Sequence, residues 1–391
     1  MRPVWAVLAL SWLLLGLFAV PCPPCLHALE ADEGAAGGLE QPAGPGTREI
    51  RAAWVTRWGF RSAGDISGTF ERLSAAGVNT VFFQVRGACT VLYRSDLEPW
   101  SGVLTGTLGR DPGWDPLEVA VVEGHKRGMA VHAWVNVFPA WPVSDSPRGP
   151  KETVPRHVML EHPEWLARNR RGEPMPLERS AAGHAYAFLS PTVPGVQERT
   201  REIIREIVCG YEVDGVHLDY VRFPDSTYSY DDASRSAYRT YAPYAPAGMT
   251  YAIWRMSQLS DLIGDINRIV KEERPHAILS VTLRRDYMEG KEYFFQDGLE
   301  WLLQGYVDLL VPMIYTSSMD LFEKGVREYS LLAGEESVVA GIGAYMEGVD
   351  DITFAGQIQV ARSYGLRGIS IFNSDYALKY GDILKSISGS D

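Results

Sequence analysis

Cysteine is scarce in this chain. Of four in 391 residues, Cys22 and Cys25 lie in an N-terminal apolar region, and only Cys89 and Cys209 belong to the body. Two isolated thiols, one after a predicted strand and one ending a predicted helix, make neither a disulfide framework nor a zinc site. Both read as small core residues. Positive charge is short as well: 37 Lys and Arg face 49 Asp and Glu, a formal charge of -12. Loss of Arg2 with a leader would make it -13. An acidic surface argues against DNA, RNA or anionic lipid headgroups as partners. There is no G-x-S-x-G elbow and no Cys beside an obvious His, which disfavours nucleophilic Ser or Cys hydrolysis. The first predicted strand runs into "VTRWGFRSAGD", which is not the Gly-rich phosphate turn of a doubly wound nucleotide-binding sheet.

What is present begins with a leader. Arg2 precedes the apolar run Val4–Val20, followed by prolines and small residues, the pattern of a secretory signal peptide over residues 1–28 with cleavage after Ala28. At 17 residues the run could also remain as an uncleaved membrane anchor. Lipidation at Cys22 is a lesser alternative, because Pro21 stands where a small residue is expected. The protein is therefore expected to be secreted or periplasmic, in the cell envelope, with membrane contact only through a retained signal or lipid. Residues 29–48, rich in Gly, Ala, Pro and Glu, read as a flexible linker. The body, 49–391, is long enough for one large barrel, and nothing inside it resembles an interdomain linker.

Short apolar runs alternate with helical patterns along the body. The runs are "IRAAWVT" (50–56), "VNTVFFQV" (78–85), "MAVHAWVNV" (129–137), "VDGVHLDYV" (213–221), "AILSVTL" (277–283), "VDLLVPMIY" (307–315), "SVVAGIGAY" (337–345) and "RGISIFN" (367–373). Apolar residues at consecutive positions suit strands covered on both faces. Between them, Ile253 to Val270 keeps i, i+3, i+4 spacing, and other segments open with Pro and close near Gly, as helices do. Eight alternations point to an α/β fold, a (β/α)8 TIM barrel, with long loops after strands three (138–192) and four (223–250). The second loop carries Tyr228, Tyr230, Tyr238, Tyr241 and Tyr244, available either for stacking on sugars or for packing the loop down.

In such barrels the carboxyl ends of the strands face the site. They place Arg57, Gln84, Arg86, His132, Trp134, Asn136, His217, Asp219, Arg222, Tyr315, Tyr345, Glu347 and Asn373 at the mouth, a set suited to a polyhydroxylated ligand. Asp219 is the sharpest candidate: Val216 and Leu218 point one way, so His217 and Asp219 point inward. Asp214, at the strand's beginning, is expected to fix a turn with Gly215. His132 and His217 lack a third ligand at metal spacing, so no metal and no cofactor are expected.

The blocks "FFQVRGACTVLYRSDLEPWS", "DPLEVAVVEGHKRGMAVHAWVNV", "HPEW", "LSPTVPGVQERTREIIREIV", "VDGVHLDYVRFP" and "VDLLVPMIY" resemble, in order, the signature blocks of the bacterial glycosyl-hydrolase-like family 10 proteins, a group of exported (β/α)8 barrels. The chain differs at Tyr220, where the family commonly has a second acidic residue. The resemblance implies hydrolysis of glycosidic bonds in a cell-envelope polysaccharide, with peptidoglycan glycan strands as the best-attested class. It also implies that Gln84, Arg86, His132, Asn136, His217, Asp219 and Arg222 line the site. Glycoside cleavage needs a carboxylate facing the anomeric carbon and a proton donor. Asp219 is the expected carboxylate, and Glu347 leads Asp286, Glu289 and Asp375 as expected donor. Arg57, Arg86 and Arg222 would hold hydroxyls or the lactyl carboxylate of muramic acid. A non-catalytic glycan-binding barrel is the alternative.

Overall fold

Eight parallel strands form one sheet in the computed structural model, which describes residues 49–180 and 183–388. The leader assigned to 1–28 and the linker assigned to 29–48 lie outside the described residues. The strands are β1 (Ile50–Val55), β2 (Thr80–Arg86), β3 (Ala130–Asn136), β4 (Gly215–Asp219), β5 (Ile278–Leu283), β6 (Leu309–Pro312), β7 (Val339–Ile342) and β8 (Gly368–Phe372). Each neighbours the next in sequence, and β8 pairs with β1 from Ile50↔Gly368 to Trp54↔Phe372. Bridges Leu310↔Val338 and Met313↔Gly341 join β6 to β7 and close the ring. The (β/α)8 TIM barrel expected from the alternating runs is the fold observed.

Two-sided burial follows from the strand sequences. Outward residues such as Val81, Phe83, Val131, Ala133, Val216 and Leu218 pack under the helices. Inward residues Ala52, Trp54, Phe82, Trp134, Val311 and Val339 fill the barrel as a separate cluster. Alternation of side chains along each strand therefore sends apolar groups both ways. The outer ring obeys helical periodicity. The helix Tyr251–Glu273, longer than its apolar pattern, starts where Thr250 Oγ1 accepts from Ile253 N at 3.2 Å. It buries Leu259, Leu262, Ile263, Ile266, Ile269 and Val270, each contributing about 1.5–3 kcal/mol of burial.

Asp214 does not fix a local turn. Its Oδ2 accepts from Val131 N at 2.7 Å and lies 2.9 Å from His125 Nε2, so it ties the start of β4 to β3 and the preceding helix.

The two long excursions are ordered by their own apolar plugs. The first forms an antiparallel ribbon, Pro139–Pro142 with Tyr186–Phe188, and buries Met159, Ala167, Met175 and Phe188. The second builds the helix Asp232–Tyr241, capped by Asp231. Tyr230, Tyr238 and Tyr251 gather with Trp254 around buried Arg255, whose Nη1 donates to Tyr228 O at 2.6 Å. Packing, rather than ligand stacking, thus accounts for Tyr230 and Tyr238. The excursions also hold each other: Ser190 Oγ donates to Asp231 Oδ2 at 2.7 Å, and Thr192 Oγ1 meets Ser234 Oγ at 2.7 Å.

Candidate active site

The carboxyl ends of the strands open into a pocket of about 550 Å³. Asp219, the last residue of β4, sits in its wall and is 7% exposed. Its Oδ1 accepts from Thr282 Oγ1 on β5 at 2.6 Å and from the Tyr220 backbone N–H at 2.7 Å. Among the described residues no hydrogen bond of standard geometry reaches Oδ2, although the Trp134 indole N–H lies near the carboxylate. Burial pushes the Asp219 pKa above its ordinary value, against the opposing pull of these donors and of the Arg222 charge. One oxygen is thus fixed and the other left for a ligand, on a carboxylate more basic than usual.

Around Asp219 the pocket is aromatic and amide-rich. Trp54, Trp58, Trp134, Tyr186, Tyr220, Tyr315, Tyr345 and Phe372 line it. Tyr315 and Tyr345 meet edge to face at 5.9 Å. Asn136 presents a buried Oδ1 with no hydrogen-bond donor, while Gln84 Oε1 accepts from Arg57 N at 3.0 Å. Tyr220 has φ +55, in the left-handed region, and its ring lies 4.9 Å from the Arg222 guanidinium. Apolar faces beside a few convergent polar groups suit sugar rings, whose axial hydrogens stack on aromatics while hydroxyls take hydrogen bonds. A second carboxylate, Asp375, lines the pocket from the first turn of the helix after β8, where Asn373 Oδ1 accepts its N–H at 3.1 Å.

The sequence matches the model of the glycosyl hydrolase-like 10 family over residues 49–345. The chain belongs to that family. Among curated relatives, glycosyl hydrolase DigH of Escherichia coli (strain K12) is 31% identical over 284 residues, 67% of this chain and 59% of the relative. Glycosyl hydrolase YngK of Bacillus subtilis (strain 168) is 23% identical, over 69% of this chain and 54% of the relative. The chain therefore spans only somewhat more than half the length of either. Among solved structures, a β-galactosidase from the haloarchaeon Halorubrum lacusprofundi aligns with a TM-score of 0.61 at 11% identity, covering 88% of this chain and 58% of that one. That likeness is one of fold.

On this glycosyl hydrolase-like 10 barrel the expected residues divide. Asp219, Gln84, Trp134, Asn136, Arg222, Tyr315, Tyr345 and Asn373 meet in the pocket. His132 and His217 face inward as expected but one layer too deep. His217 Nε2 accepts from Trp54 Nε1 at 2.9 Å, Nδ1 meets Ser280 Oγ at 2.9 Å, and the ring stacks on Phe82 at 3.8 Å. Burial lowers the His132 pKa to about 4 and holds that of His217 well below its usual value. Both are neutral parts of the barrel filling, outside the pocket wall. Arg86 leaves the strand past a register irregularity and is consumed by structure. It bonds Glu98 through Nε at 2.7 Å and Nη2 at 2.5 Å, and the Asn136 and Val137 carbonyls through Nη1. Glu347 is exposed in the loop after β7 and is not among the residues lining the pocket. Arg57 faces a neighbouring groove.

Several pocket residues escaped the sequence. Trp54, Thr56 and Trp58 share the inward parity of β1, and Ser280 and Thr282 alternate in "ILSVTL", so strand period could have exposed Thr56 and Thr282. Tyr186 arrives from the first excursion and Arg284 from the residue after β5, and no periodicity marks either. Among the described residues no group of three or more His, Cys, Asp or Glu could hold a metal ion.

Proposed function

We propose that this family member hydrolyses glycosidic bonds of a cell-envelope polysaccharide, with peptidoglycan glycan strands as substrate, and that residues 1–28 export it to that polymer. The observation carrying the proposal is the half-tethered carboxylate of Asp219 in an aromatic pocket at the mouth of a barrel from a glycosyl hydrolase-like family. The sugar at the scissile bond would stack among Tyr315, Tyr345 and Trp134 while Asn136 and Gln84 hold its polar groups. Asp219 then acts through Oδ2 on the anomeric carbon, by direct attack or by taking a proton from water. Its raised pKa strengthens it for either task. The proton donor for the leaving oxygen becomes Asp375, which replaces Glu347 because it shares the pocket wall with Asp219.

The test uses peptide-stripped peptidoglycan and mass spectrometry of the soluble products. Wild-type protein should release oligosaccharides, and Asp219→Asn should release none while keeping the native circular dichroism spectrum. Unchanged turnover in that variant would remove Asp219 from the chemistry. Retention on the polymer without release by the wild type would point to a glycan-binding barrel. Asp375→Asn should slow natural substrates roughly a hundredfold or more yet spare aryl glycosides whose leaving group needs no proton. Equal losses on both substrates would take the donor role from Asp375.

A further inference from the structure

Beside the pocket, and sharing Trp58 with it, lies a second groove of about 660 Å³. One wall is apolar, with Val103, Leu104 and Leu108. Another is the tight turn Gly87–Thr90, closed by Gly87 N donating to Thr90 O at 3.0 Å and carrying Ala88 and Cys89 in the left-handed region (φ 54 and 51). Arg57 lies between the two, 3% exposed.

Among the described residues the Arg57 guanidinium donates no hydrogen bond and pairs with no carboxylate, and its Nε is buried and unmet. What holds it is shape. It lies 4.6 Å from the Trp58 ring centroid and packs on Gly87, where any Cβ would overlap Nη1. A guanidinium carries five donors in a planar fork that matches a carboxylate; here Nε is buried and unmet, which is costly, and the residue lines the groove. Arg86, at the end of the adjacent strand and equally buried, shows the satisfied alternative, with Glu98 and two carbonyls on its donors.

We propose that this groove is a second sugar subsite, continuous with the pocket across the Trp58 ring, and that it selects a sugar unit bearing a carboxylate, which Arg57 binds as a fork. The apolar wall of Val103, Leu104 and Leu108 receives the methyl groups beside that carboxylate, the combination a lactyl ether presents. Trp58, 58% exposed, is the platform over which the chain passes from one subsite to the other. The proposal rests on the glycan reading of the pocket and adds that the substrate is an acidic glycan.

The test compares peptide-stripped glycan chains, whose lactyl carboxylates are free, with the same chains after reduction of the carboxyls to alcohols. The wild-type KM should be roughly ten- to a hundredfold lower for the acidic form, as for a hydrogen-bonded charge. Arg57→Gln should bring the two KM values together, and Arg57→Lys should restore part of the gap. Equal wild-type KM values for the two chains would overturn the subsite and leave the hydrolase standing. Should the wild type cleave neither chain, the hydrolase reading falls, and calorimetry decides the subsite separately: equal Kd values for the two forms overturn it. If Arg57→Gln fails to fold, Leu104→Glu places a negative charge in the groove. It should erase or reverse the preference, and an unchanged preference would overturn the proposal.

Discussion

His217 and Asp219 enter the same barrel from the same strand, one layer apart, and differ in how their polar atoms are met. Both ring nitrogens of His217 are bonded, its face is covered by Phe82, and it is fully buried. At Asp219 one carboxylate oxygen holds two hydrogen bonds and the other none of standard geometry, with the Trp134 indole N–H near the group, while Asn136 Oδ1 has no donor among the described residues. Buried polar groups are normally satisfied, and the unmet Asn136 Oδ1 belongs to a residue lining an open pocket that a ligand can fill. Arginine repeats the lesson at the rim, where Arg86 is spent on structure and Arg57 is not. How fully its polar atoms are met by the protein, and not residue type, separates packing from ligand contact.

The comparison breaks most decisively at Asp219. Its change to Asn should cost roughly four orders of magnitude in glycan cleavage, the scale seen when one reacting group of a catalytic set is removed. The paired arginine comes next. Glu98→Ala leaves the buried Arg86 charge without its partner and should destabilise the fold by about 3–5 kcal/mol, read from the urea midpoint. Below that lies the lower layer's response to acid. Burial lowers the folded pKa of His132 to about 4 from its ordinary value of 6.5, so the unfolded chain binds a proton that the folded one refuses. Stability from this group is complete above about pH 6.5 and should fall as pH drops toward 4, by on the order of 3 kcal/mol. His132→Gln should flatten that slope in urea titrations run across the range. The smallest effect sharpens the contrast between layers. Burial raises the folded pKa of Asp219, so its ionised form weighs against folding once the pH exceeds that value. Asp219→Asn should therefore gain stability over the wild type at neutral pH and lose that advantage near pH 3, even as activity disappears. A uniform loss of stability at both pH values would mean that the two donors on Oδ1 outweigh the burial.

Much of the barrel could be read from sequence because strands buried on both sides leave contiguous apolar runs that turns and amphipathic helices punctuate. The strand-borne part of the site could be read for the same reason: Gln84, Trp134, Asn136 and Asp219 follow from period two and from the rule that strand ends face the mouth. Period two reports the face of a residue and is silent about its depth, so it groups His132 and His217 with the pocket residues although they lie beneath them. It also fails once a strand loses register, and Arg86 sits past such a break, between Gln84 and the hairpin-like turn. Tyr220 is delivered by a left-handed backbone step and Tyr186 by an excursion of the chain. Neither carries a local pattern, because their positions depend on contacts far away in sequence.

The mutual fastening of the two excursions through Ser190–Asp231 and Thr192–Ser234 has a consequence for how the site can be altered. The excursions after β3 (138–180 and 183–192) and after β4 (223–250) make up one collar, so exchanging either alone with a relative's would strand hydroxyls and a carboxylate that now satisfy each other. Retargeting to another polymer is therefore a matter of transplanting the collar as a cassette, with the eight-strand drum beneath left as a fixed chassis.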